Sequence, residues 1–252
     1  MYKIYKKAYL FCIKLLKKIL PKNTQIRGRS IAKRVLHFGL RYKLTKIYKK
    51  FIKPGDLVFD IGANIGDYTK IFTYLKVKKV IALEPNPKLK MILKKRFKDK
   101  NVIILTNGVS DKRGKAEFYY IAGLEECGSI YSNWNKKNNG GQIKIKVNLI
   151  TLTDLINLYG VPNYIKIDVE GNEYNVLLGL KEKVDLISFE FHLTKIEKFN
   201  NCLERLKSLK YNKFAIVDSD LKYYDWMNEI QLRKVVKKLI VKKVDAGEIF
   251  AK

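Results

Sequence analysis

The sequence predicts an α/β protein whose core is a doubly wound, mainly parallel sheet, and three observations predict it. From Pro54 onward, short apolar runs of strand length alternate with amphipathic stretches of helix length. That order builds parallel sheets through crossover connections. The first apolar run ends in an acid followed by small residues at alternate positions, "DIGANIGDYT" over 60–69. The second run ends in another acid, Glu84, about 20 residues beyond that turn. The 252 residues suffice for one large domain, and 47% hydrophobic residues with 12% aromatics indicate a full globular core.

Residues 1–20, "MYKIYKKAYLFCIKLLKKIL", read as one helix that Pro21 ends. At roughly 100° per residue its lysines (Lys3, Lys6, Lys7, Lys14, Lys17, Lys18) share an arc of about 120°, on which only Leu10 intrudes. Residues 22–50 read as further basic helix. The first strand is "DLVFDI" (56–61), with a helix following near 67–76. "KKVIALE" (78–84) is the second strand, and "NPKLKMILKKRFKD" (86–99) an amphipathic helix with Pro87 near its start. "NVIILT" (101–106) is the third. "KAEFYYIA" and "IKIKVNLI" are strand-like runs flanking a polar Gly/Asn segment, 123–142. "TLTDLINLYG" (151–160) is a helix capped by Thr151 or Thr153. "YIKIDVEG" (164–171) and "VDLISFEFH" (184–192) are further strands, 195–210 a helix, and "KFAIVD" (213–218) a late strand. The tail "LRKVVKKLIVKK" is a second basic amphipathic stretch. The expected division is a basic helical extension over 1–53, the α/β domain over 54–222, and a basic helix or tail over 223–252.

Charge is concentrated at one end. Residues Met1–Gly55 hold 17 Lys or Arg and no acid, against a net charge of +28 for the whole chain. Such a bias points to an anionic membrane surface or to nucleic acid. Lysines outnumber arginines 44 to 8, whereas base readers lean on the planar arginine fork. The plain alternative is drift in composition, with the lysines of 1–20 in solvent and the apolar face packed on the core. Cys12, Cys127 and Cys202 are far apart, so neither a zinc site nor a disulfide framework is indicated, and a reduced cytosolic compartment fits. No apolar run approaches the ~18–20 residues of a spanning helix. "AYLFCI" is too short for a secretion signal.

Asp60 sits at the carboxyl end of the first strand, the edge at which open α/β sheets bind ligands. Gly62 and Gly66 allow close approach of a ligand and closure of the turn into a helix. The pattern is DxGxNxG rather than GxGxxG. Pyrophosphate favours a helix N-terminus free of acids, and here Asp60 and Asp67 flank the turn. An acid there suits the cationic amino-acid end of S-adenosylmethionine. On this reading Asp60, Gly62, Asn64 and Gly66 cradle the methionine portion and Glu84 holds the ribose. Asn107, Ser110 and Asp111, after the third strand, reach the adenine; the plain alternative for these three is a capped turn.

In "FDIGANIGDYT", "ALEPNP", "GVSDKRG", "LITLTDLI" and "YIKIDVEGNE", in that order, the chain resembles the FkbM-like branch of class I S-adenosylmethionine-dependent methyltransferases over roughly residues 54–192. The resemblance implies a Rossmann-like, seven-stranded methyltransferase sheet and methyl transfer, usually to a hydroxyl of a sugar or a glycan-bearing molecule.

Lys166 and Asp168 share one face of their strand, with Ile165 and Ile167 on the other. A lysine in a buried parallel strand needs a partner. Asp168 and Glu170 point into the same crevice, and Glu190 and His192 share a face at the end of the next strand. A hydroxyl must lose its proton as the methyl arrives, and Asp168, Glu170 or His192 can accept it. His192 as a packing residue is the plain alternative; His37, in the basic N-terminus, reads as structural. No ligand cluster is legible, so no metal is expected. The segment 123–141, with Tyr131 and Trp134, reads as a loop over the acceptor.

Two functions compete. The first is O-methylation of a small molecule or glycan, in the cytoplasm and peripheral to the inner face of the membrane. The second is ribose 2′-O-methylation of RNA, with the basic arm on phosphates. Base amino methylation commonly uses an NPPY-type turn where this chain has "DVEG", and carbon methylation needs a cysteine absent from the strand ends. A binding module on a dead scaffold is disfavoured by the intact acids. Near a charged membrane each lysine contributes ~1 kcal/mol, and burial of the apolar face adds to it. Full-length protein is therefore expected to float with anionic vesicles, less so at high salt, and a chain beginning at Lys22 much less. Equal flotation of the two, or none alongside salt-sensitive RNA binding, refutes the membrane reading.

Overall fold

The computed structural model describes residues 39–98, 100–121, 124–130, 142–244 and 246–252. The basic helix read over 1–20, His37, Tyr131 and Trp134 lie outside them. Twelve strands form two sheets among these residues. The main sheet uses β1 (Leu57–Ile61), β2 (Lys79–Leu83), β3 (Val102–Leu105), β8 (Tyr164–Ile167), β9 (Ile187–His192), β10 (Phe214–Asp218), β11 (Tyr223–Met227) and β12 (Ala246–Ala251). Their order is β3-β2-β1-β8-β9-β12-β10-β11. The five strands from β3 to β9 are parallel; β12, β10 and β11 add on antiparallel.

The expected parallel, doubly wound core is present, and its cause is visible in β1. Phe59 and Ile61 enter one core and Val58 enters the other, so a continuous apolar strand serves two faces. On the first face lie α4 (Leu152–Tyr159), α5 (Glu173–Leu178), α6 (Ile196–Ser208) and α7 (Glu229–Val241), through Leu155, Leu177, Leu206 and Leu239 among others. On the second lie α1 (39–48), α2 (Asp67–Tyr74) and α3 (Pro87–Arg96), through Tyr48, Phe72 and Leu93. Helix starts follow local chemistry. Asn86 accepts the Lys88 N–H with Pro87 in the first turn, and Thr151 with Asp154 forms a capping box.

The structure departs from the sequence reading in three places. The sheet has eight strands rather than seven, because β11 pairs with the edge of β10. Residues 223–252 are not an appendage, since β12 inserts between β9 and β10 in the middle of the sheet. Nor does residue 53 separate an extension from the core: Leu44, Ile47, Tyr48 and Ile52 are all buried. A second, four-stranded sheet holds β4 (Gly108–Val109), β7 (Gln142–Ile150), β5 (Gly114–Ile121) and β6 (Leu124–Ser129), in that order. Its β6 occupies part of the segment read as loop. No helix of the described residues is long and apolar enough to cross a membrane.

Under α1 and α2 the main sheet carries a buried polar row. Asp60 on β1 lies beside Lys166 on β8, and Lys166 beside Ser188 on β9. Glu248 on β12 accepts hydrogen bonds from Tyr48 (2.6 Å), Ser188 (2.5 Å) and Tyr164 (3.3 Å). Removing this acceptor leaves three buried hydroxyls without their charged partner. Glu248→Ala is therefore expected to cost roughly 2–4 kcal/mol in urea denaturation. A chain stopped at residue 222 is expected to show no cooperative thermal transition. A chain stopped there that melts cooperatively would show β12 to be dispensable.

Candidate functional site

The site lies where β1, β2, β8 and β9 end together. After β1 the backbone N–H groups of Gly62 and Ala63 both donate to the Leu83 carbonyl at 2.9 Å, folding the turn against β2. Gly62 has φ 83°, and a Cβ there would lie 1.8 Å from the Asp168 carbonyl oxygen. The first demand for this glycine is thus the close approach of the chain after β8. Gly66, also at φ 83°, caps α2, and a Cβ there would meet Phe97 and Leu93. Asn64 takes a left-handed conformation, φ 54°, with its side-chain oxygen accepting the Ile65 N–H at 2.7 Å.

Asp60 is 1% exposed. Thr69 of α2 donates to its Oδ2 at 2.5 Å. Its Oδ1 is buried with no hydrogen-bond partner among the described residues. Burial pushes the carboxyl up to about 6, against the pull of Lys166. Glu84 accepts the N–H groups of Asn64 and Asn86, each at 2.9 Å, and so ties the β1 turn to the β2 turn. Burial raises it to about 7 although those bonds oppose the rise. Asp67, the other acid flanking the turn, is engaged by Arg96 at 2.8 Å. Pyrophosphate is therefore disfavoured here by the buried acids Asp60 and Glu84 more than by Asp67.

The sequence brought three further residues to the cofactor side. Asn107 is half-buried just beyond β3. Ser110 and Asp111 are held otherwise. Ser110 donates its N–H to the Ile150 carbonyl, its own carbonyl lies against Gly179, and its hydroxyl donates to Asp111 at 2.9 Å. These contacts tie the turn after β4 to β7 and to the end of α5.

On the other side of the crevice Lys166 is 1% exposed. Its ammonium donates to Asp168 at 2.8 Å and sits 4.0 Å from the centroid of the Tyr68 ring. Burial works against this charge, but Asp168, Glu248 and Asp60 outweigh it and hold the group protonated, above the ordinary lysine range. Asp168 is held below the usual carboxylate range: burial opposes this, and Lys166 with a hydrogen bond to Glu190 prevails. Glu190 is held above it, first by burial and then by the Asp168 charge. His192 Nε2 lies 3.5 Å from Glu190 Oε2, and that carboxylate raises the imidazole despite its burial.

Glu170 sits two residues beyond Asp168 at φ 55°. Its loop is clamped on several sides. Ser129 of β6 donates to the Glu170 carbonyl at 3.1 Å, the Gly171 N–H donates to Glu173 at 2.8 Å, and Lys198 donates to the Gly171 carbonyl at 2.7 Å. As a result Glu170, Glu190 and His192 place one donor atom each within 4.8 Å of one another. The sequence showed no such cluster, because its members come from two strand ends. Thr69 and Tyr68 escaped the sequence reading as well; only their place on the first turns of α2, facing the sheet, marks them.

An S-adenosylmethionine molecule fits the residues present. The unpartnered Asp60 oxygen suits an ammonium, and Glu84 keeps lone pairs for ribose hydroxyls beside the two N–H groups it accepts.

Two curated proteins and a solved structure resemble the chain. The chain is 30% identical over 139 residues to Hexuronic acid methyltransferase AglP of Haloferax volcanii, covering 53% of this chain and 54% of that protein. It is 28% identical over 160 residues to Methyltransferase sdnD of Sordaria araneosa, covering 50% of this chain and 61% of that one. The chain thus spans just over half the length of these curated relatives. Among solved structures, the FkbM methyltransferase of Methylobacillus flagellatus KT aligns with a TM-score of 0.48 at 14% identity, over 96% of this chain and 58% of that one. The model of the methyltransferase FkbM domain matches residues 60–227, from Asp60 through the β8 and β9 ends to β11, and the chain belongs to that family.

Proposed function

We propose that this protein is an S-adenosylmethionine-dependent O-methyltransferase that acts on a hydroxyl of a sugar or glycan. The observation that carries the reading is the buried, unpartnered Asp60 oxygen beneath the β1 turn, facing an edge lined by Glu84 and Asp168. In a chain of net charge +28, a crevice lined by acids selects a cationic ligand. The cofactor, when bound, supplies an electrophilic methyl on a sulfonium. The chain's own groups then divide the work. Asp60 accepts from the ammonium of the methionine portion. Gly62, Asn64 and Gly66 shape the turn around it, Glu84 accepts from the ribose hydroxyls, and Asn107 stands on the adenine side.

The acceptor hydroxyl approaches from the β8–β9 side. Its proton leaves as the carbon–oxygen bond forms and passes to one of Asp168, Glu170 and His192. Lys166 fixes Asp168 in place. The sugar acceptor is supported by the relative from Haloferax volcanii, whose name specifies a hexuronic acid. The acid-free, lysine-rich sequence of residues 1–20 supports a lipid-linked form of that acceptor at an anionic membrane surface.

Both buried acids titrate above their ordinary ranges, Asp60 at about 6 and Glu84 at about 7. A raised carboxyl adds stability below its unfolded value and loses it as pH rises through the folded one. The empty protein is therefore expected to lose stability between about pH 4 and pH 7, and bound cofactor to restore it. Asp60→Asn is expected to raise the melting temperature of the empty protein at pH 7.5. It is also expected to weaken cofactor binding by about 1.5–3 kcal/mol in calorimetry. Unchanged affinity in that variant removes Asp60 from the cofactor site.

His192→Ala is expected to lower turnover by roughly 10²–10⁴-fold with cofactor affinity little changed. Mass analysis after incubation with labelled S-adenosylmethionine and glycolipid, RNA and protein fractions tests the acceptor. Label in a sugar supports the proposal, and label in RNA ribose overturns it.

A further inference from the structure

Glu170, Glu190 and His192 have no metal-binding spacing in the sequence, and the fold supplies what the sequence lacks. Glu190 and His192 are alternate residues at the end of β9 and share a face. Glu170 reaches them from the clamped loop after β8. The three donor atoms lie within 4.8 Å of one another, and His192 Nε2 is 3.5 Å from Glu190 Oε2. Neighbouring ligands of an octahedral ion with bonds of ~2.1 Å stand ~3 Å apart, and opposite ones ~4.2 Å. Rotations of the half-buried side chains close that difference. We propose that Glu170, Glu190 and His192 bind one divalent cation of the Mg²⁺ or Mn²⁺ class at the acceptor side of the crevice. The inference rests on the methyl-transfer reading for its use, though not for its geometry.

Three features beyond the donor distances support it. The donor set is two carboxylates and one imidazole, which suits a hard or borderline cation more than a thiolate-seeking one. The ligands are oriented from behind. Glu190 is hydrogen-bonded to Asp168, and Asp168 to Lys166 at 2.8 Å. The Glu170 carbonyl is held by Ser129. Such outer partners fix the direction of metal ligands. Asp168 and Glu190 lie side by side at this edge, and the Lys166 ammonium is directed at Asp168. Three protein ligands leave the remaining positions to water or to oxygens of the acceptor, and adjacent hydroxyls of a sugar ring can fill two of them. Asp168, outside the ligand set, then remains as the carboxylate that receives the acceptor's proton.

The full chain, stripped with chelator and free of cofactor and acceptor, is titrated with Mn²⁺ and followed by loss of the free-ion electron paramagnetic resonance signal. One site per chain is expected. Glu170→Gln, which preserves shape, and His192→Ala are each expected to weaken it at least about 10-fold. Asp111→Asn, an exposed acid outside the cluster, is expected to leave it unchanged. Circular dichroism confirms that the variants remain folded, and Glu190→Gln replaces either one that does not. No bound Mn²⁺ overturns the inference, and so does binding indifferent to the cluster variants. Full methyl transfer by stripped enzyme in chelator overturns the use of the cation while leaving the methyltransferase reading intact. A site lost in the variants, with no product from any acceptor fraction, supports the cation site and counts against that reading.

Discussion

A lysine ammonium buried in the middle of a parallel sheet is the constraint around which this structure is arranged. Lys166 lies on the central strand β8, and an unpaired charge there would be prohibitively costly. Asp60 beside it on β1, Asp168 just past the end of β8 and Glu248 two strands away supply the opposing charge. Each of those acids also has a structural duty. Asp60 ties β1 to α2 through Thr69, and Glu248 ties β12 to α1 through Tyr48. One buried cation thereby links the ligand edge, the late strand and the early helix. The polar row also accounts for the aromatic packing of Tyr48, Tyr68, Phe72 and Tyr164 around it.

Much of this was legible in the sequence because parallel strands speak locally. β1, β2, β3, β8 and β9 are apolar runs bounded by turn residues, and the carboxyl ends of all but β3 carry acids. Lys166 stood out for the same reason: a charge inside an apolar run demands a partner. What stayed hidden depends on pairing between distant segments. β12, "AGEIFA", is short, contains a glycine and an acid, and follows a lysine-rich helix, so nothing local marks it as central. Gly66 closes the turn into α2 as its sequence suggests, and the packing of Asp168 against Gly62 and of Phe97 and Leu93 against Gly66 is a further demand that no local pattern shows. Ser110 and Asp111 lie beyond the third strand as expected, and pairing of β4 with β7 there also depends on a distant segment.

The two sides of the crevice solve different electrostatic problems. At the ends of β1 and β2, burial raises Asp60 to about 6 and Glu84 to about 7, so both titrate close to neutral pH and a cation beside them favours the charged form. At the ends of β8 and β9, carboxylates stand close enough to perturb one another, with Asp168 favoured as the charged member by Lys166.

The Tyr48–Glu248 hydrogen bond joins residues 200 positions apart, and the Ser188–Glu248 bond spans 60. During synthesis on the ribosome, β9 and β10 emerge well before the strand that belongs between them. Until β12 arrives, each presents an unpaired edge of apolar, strand-forming sequence, the kind of surface on which nascent chains stick together. Closing so long a loop also slows the final step of folding. Expression at lower temperature, or with chaperones that shield strand edges, should therefore raise the yield of soluble protein without any change to the native state.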